Sequence, residues 1–224
     1  MSLDRVLEAE VMDTPQQAED YNAMDHLEIN QLFVRDLLGF AAAQGKLLGD
    51  VLDLGTGTAL IPVELCQQEP SCRIMAIDMS VNMLDLARYN VEAGGMIERI
   101  ELSQVDAKQM PFADGMFSTV MSNSSLHHIP KPAECVTEIA RVTGAGGLIF
   151  VRDLLRPETD EQVDLLVETY VGQEKDHMRQ MFDDSLRAAL SIDEVRELVV
   201  QNGFPAEDVQ VTTDRHWTWA SVQC

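Results

Sequence analysis

The residues able to do chemistry sit at the ends of apolar runs. The run Val51-Leu52-Asp53-Leu54 breaks into Gly55-Thr56-Gly57, and a helix-like segment follows from about Ala59. Glycines at a strand-to-helix turn let a ligand approach the main chain, while the helix start offers free N–H groups and the positive end of a dipole. A dinucleotide fold would set a pyrophosphate there and would usually show a third glycine where this chain has Leu60. Asp53, two residues before the first glycine, suits a ligand carrying an ammonium better than one carrying phosphates. By itself Gly-x-Gly is equally a tight turn. Three further features weigh against that. Asp78 ends the second run about 20 residues beyond the glycines, where an acid can accept hydrogen bonds from both ribose hydroxyls. Asp106 follows the third run and could hold an adenine amino group, with Met79 and Ala107 against the ring. The fourth run ends in Ser122-Asn123-Ser124-Ser125-Leu126-His127-His128.

Each of these residues also has a purely structural use. Asp53 could cap the glycine turn and Asp106 could start the loop behind it, since short acids serve turns. His127 and His128 could move protons as catalytic groups, or fix their loop through two directional hydrogen bonds. Arg152, Asp153 and Arg156 fall at the end of the fifth strand, where substrate recognition competes with an internal ion-pair cluster bracing the next segment of chain.

The elements that must position these groups alternate along the chain. Asp13, Thr14 and Pro15 read as a helix start leading toward Phe40. After them come strand Asp50–Leu54, a helix from about Ala59, strand Cys72–Asp78, a helix from Ser80 to Ala93 and strand Arg99–Val105. Strand Met116–Ser122, a helix from about Pro132 to Val142 and strand Leu148–Leu154 complete the pattern. Near-continuous apolar strands spaced by single helices predict a parallel sheet covered on both faces. After Pro157 two helices arrive where one crossover would suffice, so 157–190 is an insertion. Ser191 and Glu194 form a capping-box pattern for the next helix, which ends at Gly203. The tail is β-rich and reads either as one long strand or as a hairpin around Asp214 and Arg215. The expectation is a single domain, 1–224, with an N-terminal helical cap over 1–45. Tyr21, Met24 and Asp25 on that cap, and Tyr170, His177 and Arg179 on the insertion, are candidates for a lid over the substrate.

Composition narrows the classes. Sixteen Lys and Arg against 38 Asp and Glu leave a net charge of −22, which disfavours phosphate backbones and anionic lipid. The four cysteines are scattered without a Cys-x-x-Cys pair, suggesting neither a metal site nor a disulfide framework. No stretch approaches a membrane span and the N-terminus is too acidic for a signal peptide, so a cytoplasmic protein is expected.

Taken in order, Asp50 to Leu155 resembles the class I S-adenosylmethionine-dependent methyltransferases, in particular the small-molecule type 11 branch with the ubiquinone and menaquinone methyltransferases. The resemblance implies a Rossmann-like, doubly wound α/β fold, with a seven-stranded, mostly parallel sheet in the order 3-2-1-4-5-7-6 and strand seven antiparallel. It implies that Asp53, Gly55, Thr56 and Gly57 hold the methionine part of the cofactor, Asp78 the ribose, and Met79, Asp106 and Ala107 the adenine, with Asn123 and Ser124 beneath the sulfonium. The function implied is methyl transfer to a small-molecule acceptor, with no nucleic-acid partner; nucleic-acid amino methyltransferases of this fold carry an Asp/Asn-Pro-Pro-aromatic motif where this chain has Asn123-Ser124-Ser125-Leu126. The alternatives are a nicotinamide-dependent oxidoreductase and a non-enzymatic S-adenosylmethionine-binding protein.

Overall fold

The computed structural model describes residues 3–8, 14–16, 18, 22 and 27–224. Helix α1, Leu27–Ala43, buries Asn30, Phe33, Val34, Leu37 and Ala41, the spacing of one helical face. The proposed helix start is only partly described, because Asp13 lies outside these residues; Pro15, Gln16, Ala18 and Asn22 have helical backbone. Residues 3–8, inside the expected helical cap, are not helical. They form a strap: the amide of Leu3 donates to Pro157 O (3.3 Å) and that of Val6 to Arg187 O (3.1 Å).

Strands β1 (Asp50–Leu54), β2 (Arg73–Asp78), β3 (Ile100–Gln104), β4 (Phe117–Asn123) and β5 (Thr143–Leu154) are mutually parallel. Two more, β6 (Val209–Val211) and β7 (His216–Val222), complete the sheet in the order β3-β2-β1-β4-β5-β7-β6, with β7 antiparallel to both its neighbours. Helices α2 (Leu60–Gln68) and α3 (Val81–Ala93) join α1 on one face, where Phe33, Leu37, Leu65 and Ala87 share a core with Val51, Ile74 and Phe150. On the other face α4 (Pro132–Val142) and α7 (Ile192–Gln201) bury Val136, Ile139, Val195 and Val199 against Leu52, Val120, Trp217 and Trp219. Sheet order and layers are those the resemblance implied.

The segment expected to be an insertion forms α5 (Asp160–Val171) and α6 (Asp176–Ala188), with a small core of its own around Val163, Leu166, Leu186 and Ala189. The capping box at Ser191 and Glu194 is present in both directions. Strand bounds shift by a residue or so from the sequence reading, and most at β5. Strand β5 begins at Thr143 rather than Leu148, with an irregular register against β4 between Phe117 and Thr119. A Cβ on Gly147 would lie 2.7 Å from Gly144 O, so this stretch packs main chain on main chain. The tail is the hairpin, not the single strand. Its turn uses a threonine where glycine or proline is usual: Thr213 Oγ1 accepts from the Arg215 amide (3.2 Å) and meets His216 Nδ1 at 2.8 Å. No helix among the described residues is long and apolar enough to cross a membrane.

Candidate active site

Two glycines with positive φ, Gly55 (+69°) and Gly57 (+54°), turn the chain out of β1. Gly55 is doubly required, because a Cβ there would collide with the side chain of Ser125, brought close by the turn after β4. The Gly57 amide donates to Asp78 Oδ2 and the Ser80 amide to Asp78 Oδ1, both at 2.8 Å. The Asp78 carboxylate is thus aimed by main chain at the end of β2. Burial pushes its pKa up, against those amide bonds.

One cavity is lined by Gly55, Gly57, Asp78, Met79, Asp106, Ala107, Asn123, Ser124 and His128. In its lining Asp106 accepts from the Lys108 amide (2.9 Å) and lies 3.0 Å from Lys108 Nζ. Burial opposes ionisation of Asp106, and the Lys108 contacts outweigh it, holding the carboxyl below its ordinary value. A smaller lobe is lined by Asn30, Asp53, Thr56, Thr58 and again Gly55 and Asn123. Asn123, at the end of β4, therefore borders both spaces. Asp53 is buried, and burial together with the nearby Asp78 charge pushes its carboxyl up to about 7. The Thr56 hydroxyl beside it is shielded from solvent, and its contact favours the Asp53 carboxylate without outweighing burial. A buried acid at a raised pKa fits the ammonium of a methionine moiety, and the larger cavity fits its nucleoside.

The two histidines separate. His127 is buried, its Nδ1 2.5 Å from Asp153 Oδ1, while Asp153 Oδ2 accepts from the amides of Leu126 and His127. Burial works against the charged imidazole, and Asp153 outweighs it, so the pKa of His127 is raised. His128 faces the cavity, and burial with the neighbouring His127 lowers its pKa. Its Nδ1 lies 3.1 Å from Oε1 of Glu8 on the N-terminal strap.

The structure does not bring every predicted residue to the cavity. Arg152 is buried in an ion pair with Asp36 of α1 (2.8 Å) and donates to Thr218 Oγ1 (3.0 Å), which is the internal cluster rather than a substrate contact. Tyr170 bonds Asp214 (2.7 Å) beneath the Arg215 guanidinium, and Arg179 bonds Gly172 O and Glu168. Tyr170, His177 and Arg179 are absent from the cavity lining. Tyr21, Met24 and Asp25 lie outside the described residues. Asn30 was missed, although an asparagine within the apolar stripe of α1 was its signal; Glu8 and Arg5 had none.

The sheet order and the cavity across its C-terminal edge define a Rossmann-like methyltransferase fold. Residues 52–151 match a family model described as a methyltransferase domain. Over 110 residues the chain is 31% identical to a ubiquinone/menaquinone biosynthesis C-methyltransferase of Geobacter sp. (strain M21), covering 49% of this chain and 47% of that one. It is 36% identical over 103 residues to a phosphatidylethanolamine N-methyltransferase of Cereibacter sphaeroides, covering 46% and 49%. A crystal structure of a SAM-dependent methyltransferase from Aquifex aeolicus superposes with a TM-score of 0.66 at 16% identity, over 94% of this chain and 99% of that one. The chain spans about half or less of the length of the curated relatives it matches. Over residues 52–151 the chain therefore matches a methyltransferase domain, on a fold it shares with S-adenosylmethionine-dependent methyltransferases.

Proposed function

We propose that this protein transfers the methyl group of S-adenosylmethionine to a small-molecule acceptor entering beside Asn123, Ser124 and His128. The observation that carries the reading is the convergence of Asp53, Asp78 and Asp106 on adjoining spaces that meet at Asn123. When bound, the cofactor supplies an activated methyl on a sulfonium. Asp53 takes the ammonium, with Thr56 and Asn30 beside it. Asp78 takes the ribose hydroxyls on the carboxylate lone pairs that Gly57 and Ser80 leave free. Asp106, Met79 and Ala107 hold the adenine. The acceptor displaces the sulfur in line, so what the chain contributes is alignment, an effect worth ~7–11 kcal/mol in favourable cases.

Neither histidine serves this scheme as a general base. His127 has its ring clamped between Asp153 and the strap. His128 has its Nδ1 engaged by Glu8. We take His128 as a wall of the acceptor space. An acceptor that is neutral or cationic fits a chain of net charge −22, and nucleic acid does not.

Calorimetry with S-adenosylhomocysteine, the demethylated product, and NAD+ as control tests the reading. Tight product binding is expected, with no NAD+ binding. In Asp78→Ala each lost ribose bond should cost ~1.5–3 kcal/mol of affinity. Unchanged affinity in a folded Asp78→Ala protein removes Asp78 from the site, and preference for NAD+ overturns the assignment. Given an acceptor, His128→Gln should keep the wild-type pH profile of single-turnover transfer; loss of an acid limb in that variant would make His128 the base after all.

A further inference from the structure

Beside the cofactor cavity, three side chains, one from the N-terminal strap and two from the turn after β4, converge without being explained by methyl transfer. Oε1 of Glu8 lies 3.1 Å from His128 Nδ1 and 3.6 Å from His127 Nε2. The ligating atoms of all three lie within 4.8 Å of one another, and they form a potential metal-binding group among the described residues. The geometry points to a binding site for one divalent first-row transition ion, held by Glu8, His127 and His128.

Four observations support the site. Two imidazole nitrogens and one carboxylate oxygen suit Zn2+ or Fe2+ and not Mg2+ or Ca2+, which prefer all-oxygen sets. Donors about 2.0–2.2 Å from a shared ion stand roughly 3.0–3.5 Å apart, close to the spacings here. Glu8 Oε1 is shielded from solvent and is approached by a nitrogen of each ring. Finally, the Nδ1 of His127 is engaged by Asp153, which leaves Nε2 as the ring nitrogen on the side of Glu8. A carboxylate behind a histidine is the arrangement that fixes tautomer and orientation in metal-binding imidazoles.

The strap delivers Glu8 through contacts that do not depend on the ion. Arg5, three residues earlier, donates to Ala188 O (2.7 Å) and to the carbonyls of His127 and Ile129 (both 3.0 Å). The ion would fasten the strap to the histidine turn, with its remaining coordination positions open to water. With Nδ1 of His128 occupied, the proton stays on Nε2, which agrees with a histidine that lines the cavity without accepting protons.

The test is made on the full chain, stripped with a chelator and free of cofactor, so that it does not depend on the methyl-transfer reading. Titration with Co2+ should give a visible d–d spectrum saturating at one equivalent, abolished by one equivalent of Zn2+. Glu8→Gln and His128→Gln should each weaken Co2+ binding by more than about tenfold, and Asp153→Asn on the order of 10–100-fold. Glu8→Gln keeps the strap's backbone bonds, so its loss of metal with an unchanged circular dichroism spectrum isolates ligation from folding. A wild-type chain that takes up no stoichiometric Co2+ or Zn2+, or uptake that is unchanged in both Glu8→Gln and His128→Gln, overturns the site.

Discussion

At the ends of β1 and β2 the groups that face the ligand are set by main chain a few residues away, Gly57 and Ser80 aiming Asp78. At the end of β4 the corresponding groups are set by side chains remote in sequence: Asp153 holds His127, and Arg5 holds the carbonyls around it. The first arrangement exists as soon as two neighbouring strands pair. The second requires β5, the insertion and the strap to be in place together. Local frames of the first kind make a cofactor site that varied acceptor chemistry can share, while assembled frames of the second kind can differ from chain to chain.

Breaking the assembled frame should have the largest effect. Asp153 accepts from the amides of Leu126, His127 and Leu154 as well as from the His127 ring, all buried. Asp153→Ala should therefore lose about 3–5 kcal/mol of stability in urea denaturation; a loss below about 1 kcal/mol would show that the turn stands without it.

In the local frame, Asp53→Asn should weaken S-adenosylhomocysteine binding by about a hundredfold, the scale of an unpaired buried charge, and yet stabilise the ligand-free protein at alkaline pH. Its folded pKa, about 7, is raised above the unfolded value, so ionisation costs the folded state. That cost is absent well below pH 4, grows as pH rises and is complete above about 7, reaching roughly 2–4 kcal/mol. Thermal unfolding of both proteins at pH 8 and at pH 4 should show a gap only at pH 8.

A smaller effect sharpens the same point. Binding of the ligand's ammonium needs ionised Asp53, so wild-type affinity should fall as pH drops below about 7, by up to about tenfold per unit. Calorimetry from pH 5.5 to 8 should show this slope in the wild type and a flat profile in Asp53→Asn. An equal slope in both would assign the titration to another group.

The smallest expected effect falls on the insertion. Arg179→Ala and Tyr170→Phe should leave cofactor affinity within about twofold, since these side chains bond within the insertion and to the hairpin, away from the cavity. A gain of hydrogen-exchange protection across α5 and α6 on product binding would instead make the insertion a lid.

What the sequence disclosed obeys the same division. The turn residues Gly55 and Gly57 and the strand-end acids Asp53, Asp78 and Asp106 were legible because each owes its place to a local pattern, an apolar run ending at a turn. The sheet order came from the resemblance, while period and spacing marked the strands and helices that it joins. Arg152 stayed open between two readings because its position at a strand end is the same whether its side chain turns to a ligand or to Asp36. Glu8 was invisible, since an acid in an N-terminal stretch carries no mark of the turn it meets after β4. The hairpin turn was obscure because a threonine side chain does there what glycine or proline usually signals.

The last strand of the sheet has a consequence for how the molecule is made. Strand β7 lies between β5 and β6 and carries both tryptophans, Trp217 and Trp219, fully buried. Until it is made, β5 presents an open, strongly apolar edge, the kind of surface that recruits foreign strands. The parallel portion from β1 to β5 must then wait, unfinished, for a segment made after α7. Both indole rings report that final event, so their burial during refolding should mark the closing of the sheet and not its beginning.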